Sequence, residues 1–121
     1  MATRRVLLLD DDADLREVFA DLMGAMGIAV ATAGSVDELA DVINRGDGSF
    51  DLAILDINLG PGEPSGLDAY RWLKQHDFKG RMAFLTGHAR SHPLVTAARE
   101  LGDVRVYDKP ISVAELRQLM N

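Results

Sequence analysis

Three consecutive carboxylates, Asp10, Asp11 and Asp12, follow the apolar run Val6-Leu7-Leu8-Leu9 without a break. A second apolar run, "DLAILD" (51–56), also ends in a carboxylate, Asp56, with Ile57 and Asn58 behind it. "MAFLT" (82–86) ends in Thr86, and "VRVYD" (104–108) leads into Lys109-Pro110. Two like charges roughly 4 Å apart, at an effective dielectric near 20, repel by about 4 kcal/mol. Carboxylates gathered in one place therefore need a cation. A hard ion such as Mg²⁺ takes oxygen ligands, usually one or two carboxylates with waters and a phosphate. Lysine offers a point charge to a phosphate, and a threonine hydroxyl offers a hydrogen bond. A carboxylate can itself be the nucleophile, giving an aspartyl-phosphate. These residue types suit a magnesium and phosphoryl site, provided the fold brings them together.

The elements that must do so are legible in the apolar pattern. Short apolar runs at 5–10, 28–32, 51–56, 82–86 and 104–108 read as strands, and helical patterns lie between them. Leu15, Val18, Phe19, Leu22 and Met26 recur at spacings of three and four, one helical stripe, with Asp14 and Glu17 as a capping box and Gly27 as a stop. Ser35 and Glu38 cap a helix lined by Val36, Leu39, Ala40 and Ile43, which Gly46 ends. "GPGEPSG" (60–66) reads as a loop before a helix over 67–76 with Leu67, Tyr70 and Leu73 inward. Pro93 suits the first turn of a helix to about Leu101, and Ser112 with Glu115 caps a last one carrying Leu116, Leu119 and Met120. Five strand–helix units imply a parallel sheet with helices on both faces. Ligands of such sheets bind beyond the carboxyl ends of the strands, where Asp10–Asp12, Asp56, Thr86 and Lys109 all fall.

Composition narrows the field. The 121 residues suffice for one domain, and 47% hydrophobic with 26% charged residues is a globular composition. Nineteen acidic against 13 basic residues give a net charge of −6, which argues against nucleic acid or an anionic membrane as partner. The absence of cysteine excludes disulfides, zinc–thiolate sites and thiol catalysis. No apolar run approaches a membrane span, and the run after Arg4-Arg5 is too short for a signal peptide. The expectation is a cytoplasmic domain.

An acidic pair after the first strand, an Asp ending the third, a Ser/Thr ending the fourth and a Lys-Pro after the fifth, in this order, resemble the receiver domains of two-component response regulators. The resemblance covers nearly the whole chain, 1–121. It implies a doubly wound, flavodoxin-like sheet of order 2-1-3-4-5 with five helices. It further implies that Asp56 takes a phosphoryl group from a phosphohistidine of a sensor kinase or histidine phosphotransfer protein. Asp11, Asp56 and the backbone carbonyl of Asn58 would hold Mg²⁺, with Asp10 acting through a metal-bound water. Lys109 would hold the phosphoryl group, and Thr86 would move toward it and shift a surface read by an effector or output domain. In this reading the chain is a self-catalysing switch that also loses its phosphoryl group unaided, not an enzyme, and a monomer or weak dimer.

Three features depart from the pattern. A glycine is expected eight residues after the acceptor, whereas Gly66 lies ten after Asp56, so the intervening loop is about two residues longer. The aromatic expected three residues before the lysine is replaced by Val106, and Tyr107 beside it should point to the other side of the strand. The last helix is short, which reads as a chain cut from a longer protein with its output region missing. Asp12 reads only as a helix N-terminal residue. His88 and His92 read as a solvated pair in a loop, with His88 near the rim of the site. Three other readings compete. A magnesium phosphohydrolase would want an acid where Asn58 stands. A flavin carrier would want hydroxyls where Asp10–Asp12 stand. A docking module without phosphorylation would have no use for the full acidic set.

Overall fold

The computed structural model describes residues 4–46, 49–87 and 92–120. Five strands, β1 (Arg5–Leu9), β2 (Ala29–Ala33), β3 (Leu52–Asp56), β4 (Arg81–Thr86) and β5 (Arg105–Asp108), alternate with five helices. The helices are α1 (Ala13–Ala25), α2 (Val36–Arg45), α3 (Gly66–Gln75), α4 (Pro93–Glu100) and α5 (Val113–Met120). The sheet runs β2-β1-β3-β4-β5, with every neighbouring pair parallel. This is the expected order, and the strand ends line up: Leu9 faces Ala33 and Leu55, Asp56 faces Leu85, and Thr86 faces Asp108.

β1, β3 and most of β4 are buried on both faces, as unbroken apolar runs require. Period two then divides their side chains between two cores. Leu7, Leu9, Ala53, Leu55 and Phe84 pack under α2, α3 and α4 with Leu39, Leu67, Leu73, Val95 and Ala98. Val6, Leu8, Ile54, Ala83 and Leu85 pack under α1 and α5 with Met23, Leu116, Leu119 and Met120. The same alternation puts Val106 against the first core and Tyr107 against the second, opposite sides of β5 as expected.

Two expectations about α1 are corrected. Its cap is Asp12, whose carboxylate accepts from the N–H groups of Asp14 and Leu15; the Asp14–Glu17 pair forms no cap. An acceptor one residue before the helix reaches these orphan donors directly, so Asp12 takes the role. The apolar stripe is also split. Met23 is buried and Phe19 and Met26 lean on the core, but Leu15, Val18 and Leu22 are 47%, 64% and 40% exposed. Elsewhere capping follows the sequence: Ser35 accepts from Glu38, and Ser112 and Glu115 form a reciprocal box. α3 has a box that the sequence reading overlooked, Ser65 with Asp68. His92 is corrected too: its Nδ1 accepts from Leu94 N–H and caps α4. His88 lies outside the described residues.

Candidate functional site

The carboxyl ends of β1, β3, β4 and the exit of β5 converge on one edge. Among the described residues, the buried polar or charged ones are Asp10, Asp56 and Thr86. All three sit at this edge, and all three were singled out by the sequence. Burying carboxylates is costly unless they are paired. Lys109 Nζ lies 2.8 Å from Asp56 Oδ2 and 3.0 Å from Asp10 Oδ2. Its own backbone N–H donates to the Thr86 carbonyl at 2.9 Å, which ties the ends of β4 and β5 together. The Lys109–Pro110 peptide is cis.

Asp10 is held on every side. Its N–H donates to Ala33 O (3.0 Å), its Oδ1 accepts from Asp12 N–H (2.9 Å) and its carbonyl accepts from Arg16 Nη1 (2.7 Å). Asp11 is exposed beside it, and one carboxylate oxygen from each of Asp10, Asp11 and Asp56 lies within 4.8 Å of the others. Asn58 is half-buried at the start of the loop after β3, with its Oδ1 accepting from Gly60 N–H at 3.0 Å. Gly66 opens α3 directly against the end of β3: its N–H donates to Ile57 O at 2.9 Å, and a Cβ there would collide with the Asp56 carbonyl. That close approach accounts for a glycine at this position, ten residues along.

The charge count is the chemical key. Burial pushes the Asp56 carboxyl up to about 6; Lys109 pulls against this, and Asp10 and Asp11 add to the push. Burial would lower the Lys109 ammonium, but its bonds to Asp56 and Asp10 outweigh that and hold it above its ordinary value. The lysine therefore stays charged, and a single ammonium faces three carboxylates. The site is short of positive charge and rich in hard oxygen donors, which fits a divalent cation of the Mg²⁺ or Ca²⁺ type.

Residues 6–121 match the family described as response regulator receiver domain. The chain belongs to the receiver domain family. Among curated relatives, this receiver is 28% identical over 120 residues to the response regulator protein PilR of Pseudomonas aeruginosa, covering 99% of this chain and 26% of that protein. It is 32% identical over 113 residues to the alginate biosynthesis transcriptional regulatory protein AlgB of the same organism, covering 93% and 24%. The receiver thus spans about a quarter of the length of these relatives. A response regulator receiver domain protein from Clostridium thermocellum superposes with a TM-score of 0.80 at 26% identity, covering 98% of this chain and 91% of that one. A Burkholderia pseudomallei response regulator, solved with a phosphorylated aspartic acid, a calcium ion and citrate, does so with a TM-score of 0.80 at 25% identity, covering 98% and 66%. No helix among the described residues is long and apolar enough to cross a membrane.

The structure brings Asp10, Asp11, Asp56 and Lys109 together and places Thr86 and Asn58 at the same edge. Sequence reasoning missed Arg16 and the wall that Gly66 forms. For Arg16 the available signal was a cation four residues into a helix that starts at an acidic loop.

Proposed function

We propose that Asp56 takes a phosphoryl group from a phosphohistidine on a sensor kinase or histidine phosphotransfer protein, in a Mg²⁺-dependent reaction, and that the new charge switches a protein-interaction surface. The observation that carries this reading is that the polar side chains buried among the described residues, Asp10, Asp56 and Thr86, sit together at one strand edge with Lys109. The Asp56 carboxylate oxygen attacks phosphorus as the bond to the donor's imidazole nitrogen breaks, and the nitrogen keeps the electron pair. The carboxylates of Asp11 and Asp56 and the carbonyl of Asn58 would hold Mg²⁺, with Asp10 reached through a water. When bound, the ion supplies the positive charge that the transferring group needs. Lys109 exchanges its contact with Asp56 for the phosphoryl oxygens. Thr86 donates its hydroxyl to the same group and draws the segment that begins at Gly87 toward the site, so a local charge change biases a surface. Transfer and later hydrolysis are performed by the chain on itself, which makes it a switch and not an enzyme with an outside substrate.

The donor has a surface to meet. Leu15, Val18, Phe19 and Leu22 of α1 form a cleft of about 380 Å³ with Leu8, Leu85, Pro110 and Ile111, and Asp10 and Lys109 also line it. An apolar patch continuous with the site suits a helix of the donor protein, whose histidine must reach Asp56. The reader of the switch is an effector or an output region of a longer protein. The domain itself acts in the cytoplasm as a monomer or weak dimer, without nucleic acid or membrane.

Intact-mass analysis with Mg²⁺ and acetyl phosphate tests the acceptor. The expected result is a single phosphoryl adduct on the wild-type protein, absent without Mg²⁺ and absent in Asp56→Ala. An adduct that persists in Asp56→Ala would overturn the assignment. A wild-type protein that binds Mg²⁺ but takes no phosphoryl group, from acetyl phosphate or from a phosphorylated kinase, would instead mark a docking module.

A further inference from the structure

We propose that Arg16 is a positioning residue for the metal-binding carboxylates, acting through the peptide between Asp10 and Asp11. This rests on the magnesium reading above. One contact motivates it. The Arg16 guanidinium donates from Nη1 to the Asp10 carbonyl at 2.7 Å. That carbonyl belongs to the peptide whose N–H is that of Asp11, so holding it fixes the direction in which Asp11 leaves the backbone. Asp11 needs this more than its neighbours do. The Asp10 side chain is gripped by Asp12 N–H and Lys109, and that of Asp56 by Lys109. The exposed Asp11 carboxylate accepts no hydrogen bond from the described residues.

The tip of the guanidinium lies beside Gly34, at the end of the neighbouring strand. A Cβ at Gly34, just past β2, would stand 2.8 Å from Arg16 Nη1, 3.3 Å from its Cζ and 3.0 Å from Glu38 Oε2. Glu38 Oε2 also accepts from Gly34 N–H at 3.3 Å. The space that a side chain at 34 would fill is therefore shared by the guanidinium and the first-turn carboxylate of α2. Gly34 adopts an ordinary backbone conformation, so it is room for Arg16 and not a turn that calls for glycine here. The bond is a single one from Nη1, and a lysine ammonium, a compact and strongly hydrated point charge on a flexible stem, does not carry a donor at the place where the rigid guanidinium holds it. Groups that orient a metal ligand from behind typically change metal affinity by about tenfold or more when removed.

The test is Mg²⁺ titration by calorimetry on the wild-type protein and on Arg16→Lys, Arg16→Met and Gly34→Ala, each with a metal-free thermal melt to score folding. Gly34→Ala keeps Arg16 in the chain and displaces only the flexible tip of its side chain, so it stays informative if either arginine variant folds poorly. The expected result is that the Kd for Mg²⁺ weakens about tenfold in both arginine variants, with no rescue by lysine, and in the same direction by a smaller factor in Gly34→Ala. Variants that melt lower yet bind Mg²⁺ with the wild-type Kd would show a purely structural arginine and overturn the inference. Tighter binding by Arg16→Met, with Arg16→Lys unchanged, would overturn it as well, because the charge and not the grip on the carbonyl would then govern affinity. A wild-type protein that binds no Mg²⁺ would overturn the metal reading itself, and this inference with it.

Discussion

The two faces of the sheet are covered in different ways. On one, α2, α3 and α4 turn Leu39, Leu67, Leu73, Val95 and Ala98 wholly inward. On the other, α5 seals its half with Leu116, Leu119 and Met120, but α1 commits Met23 to the core and leaves Leu15, Val18 and Leu22 facing out. Amphipathic helices thus serve different ends. The three on the first face spend their apolar stripe on stability, whereas α1 divides its own between the core and a surface that adjoins Asp10 and Lys109. The lesson is that an apolar arc wider than one contact needs is a sign of a second contact.

That contrast can be broken at several points. The largest effect belongs to the sealed face: Leu73→Ala, at a fully buried position, should cost about 3 kcal/mol in urea unfolding. A value near zero would mean that this face is not the better packed one. The next largest belongs to neither face but to the edge between them. Because burial raises the Asp56 carboxyl to about 6, the folded state holds its proton more tightly than the unfolded chain does. Its contribution to metal-free stability is then full below about pH 4, falls as pH rises toward 6 and is flat above. Asp56→Asn should remove that fall and stabilise the metal-free protein by about 2 kcal/mol at pH 7.5, after allowing for the lost bond to Lys109. The difference between the two proteins' pH profiles is the measurement, since other carboxylates titrate in both. Mg²⁺ should narrow the difference by stabilising the wild-type protein alone.

Smaller effects sharpen the reading of α1. Val18→Glu should slow phosphoryl transfer from a phosphorylated histidine kinase by about tenfold, or about 1.4 kcal/mol in the barrier. Labelling by acetyl phosphate should stay near the wild-type rate. Equal slowing of both would place Val18 in the chemistry and not in docking. The smallest is Val18→Ala, at 64% exposure, which should change unfolding free energy by no more than about 0.5 kcal/mol. A cost like that of Leu73→Ala would erase the difference between the faces.

Much of this was legible in the sequence, for identifiable reasons. Apolar runs buried on both sides announce central strands, and the rule that sites lie at strand ends picked out Asp10, Asp56, Thr86 and Lys109 before any geometry was known. Period two was enough to send Val106 and Tyr107 to opposite sides. What the sequence hid depends on the third dimension. The α1 stripe has the spacing of a core helix, and spacing does not say which part of an arc meets the sheet. The Ser65 of the Ser65–Asp68 box lay inside a Gly/Pro-rich stretch that reads as loop, and His92 is not a residue that announces a cap. Arg16 bonds a backbone carbonyl, a partner that no side-chain motif can advertise.

Gly66 bonds to the residue that follows β3. The segment from Asn58 to Ser65 is fastened at both ends: at its start by the Asn58–Gly60 turn, at its finish by Gly66 N–H on Ile57 O. Between those fastenings, Gly60 and Gly62 take up left-handed backbone and let the chain double back on itself. Extra length here is slack between two cleats: it can be let out or taken in without moving the mast. A segment so tethered can vary in length and lettering beside Asp56 while Asp56 stays where it is.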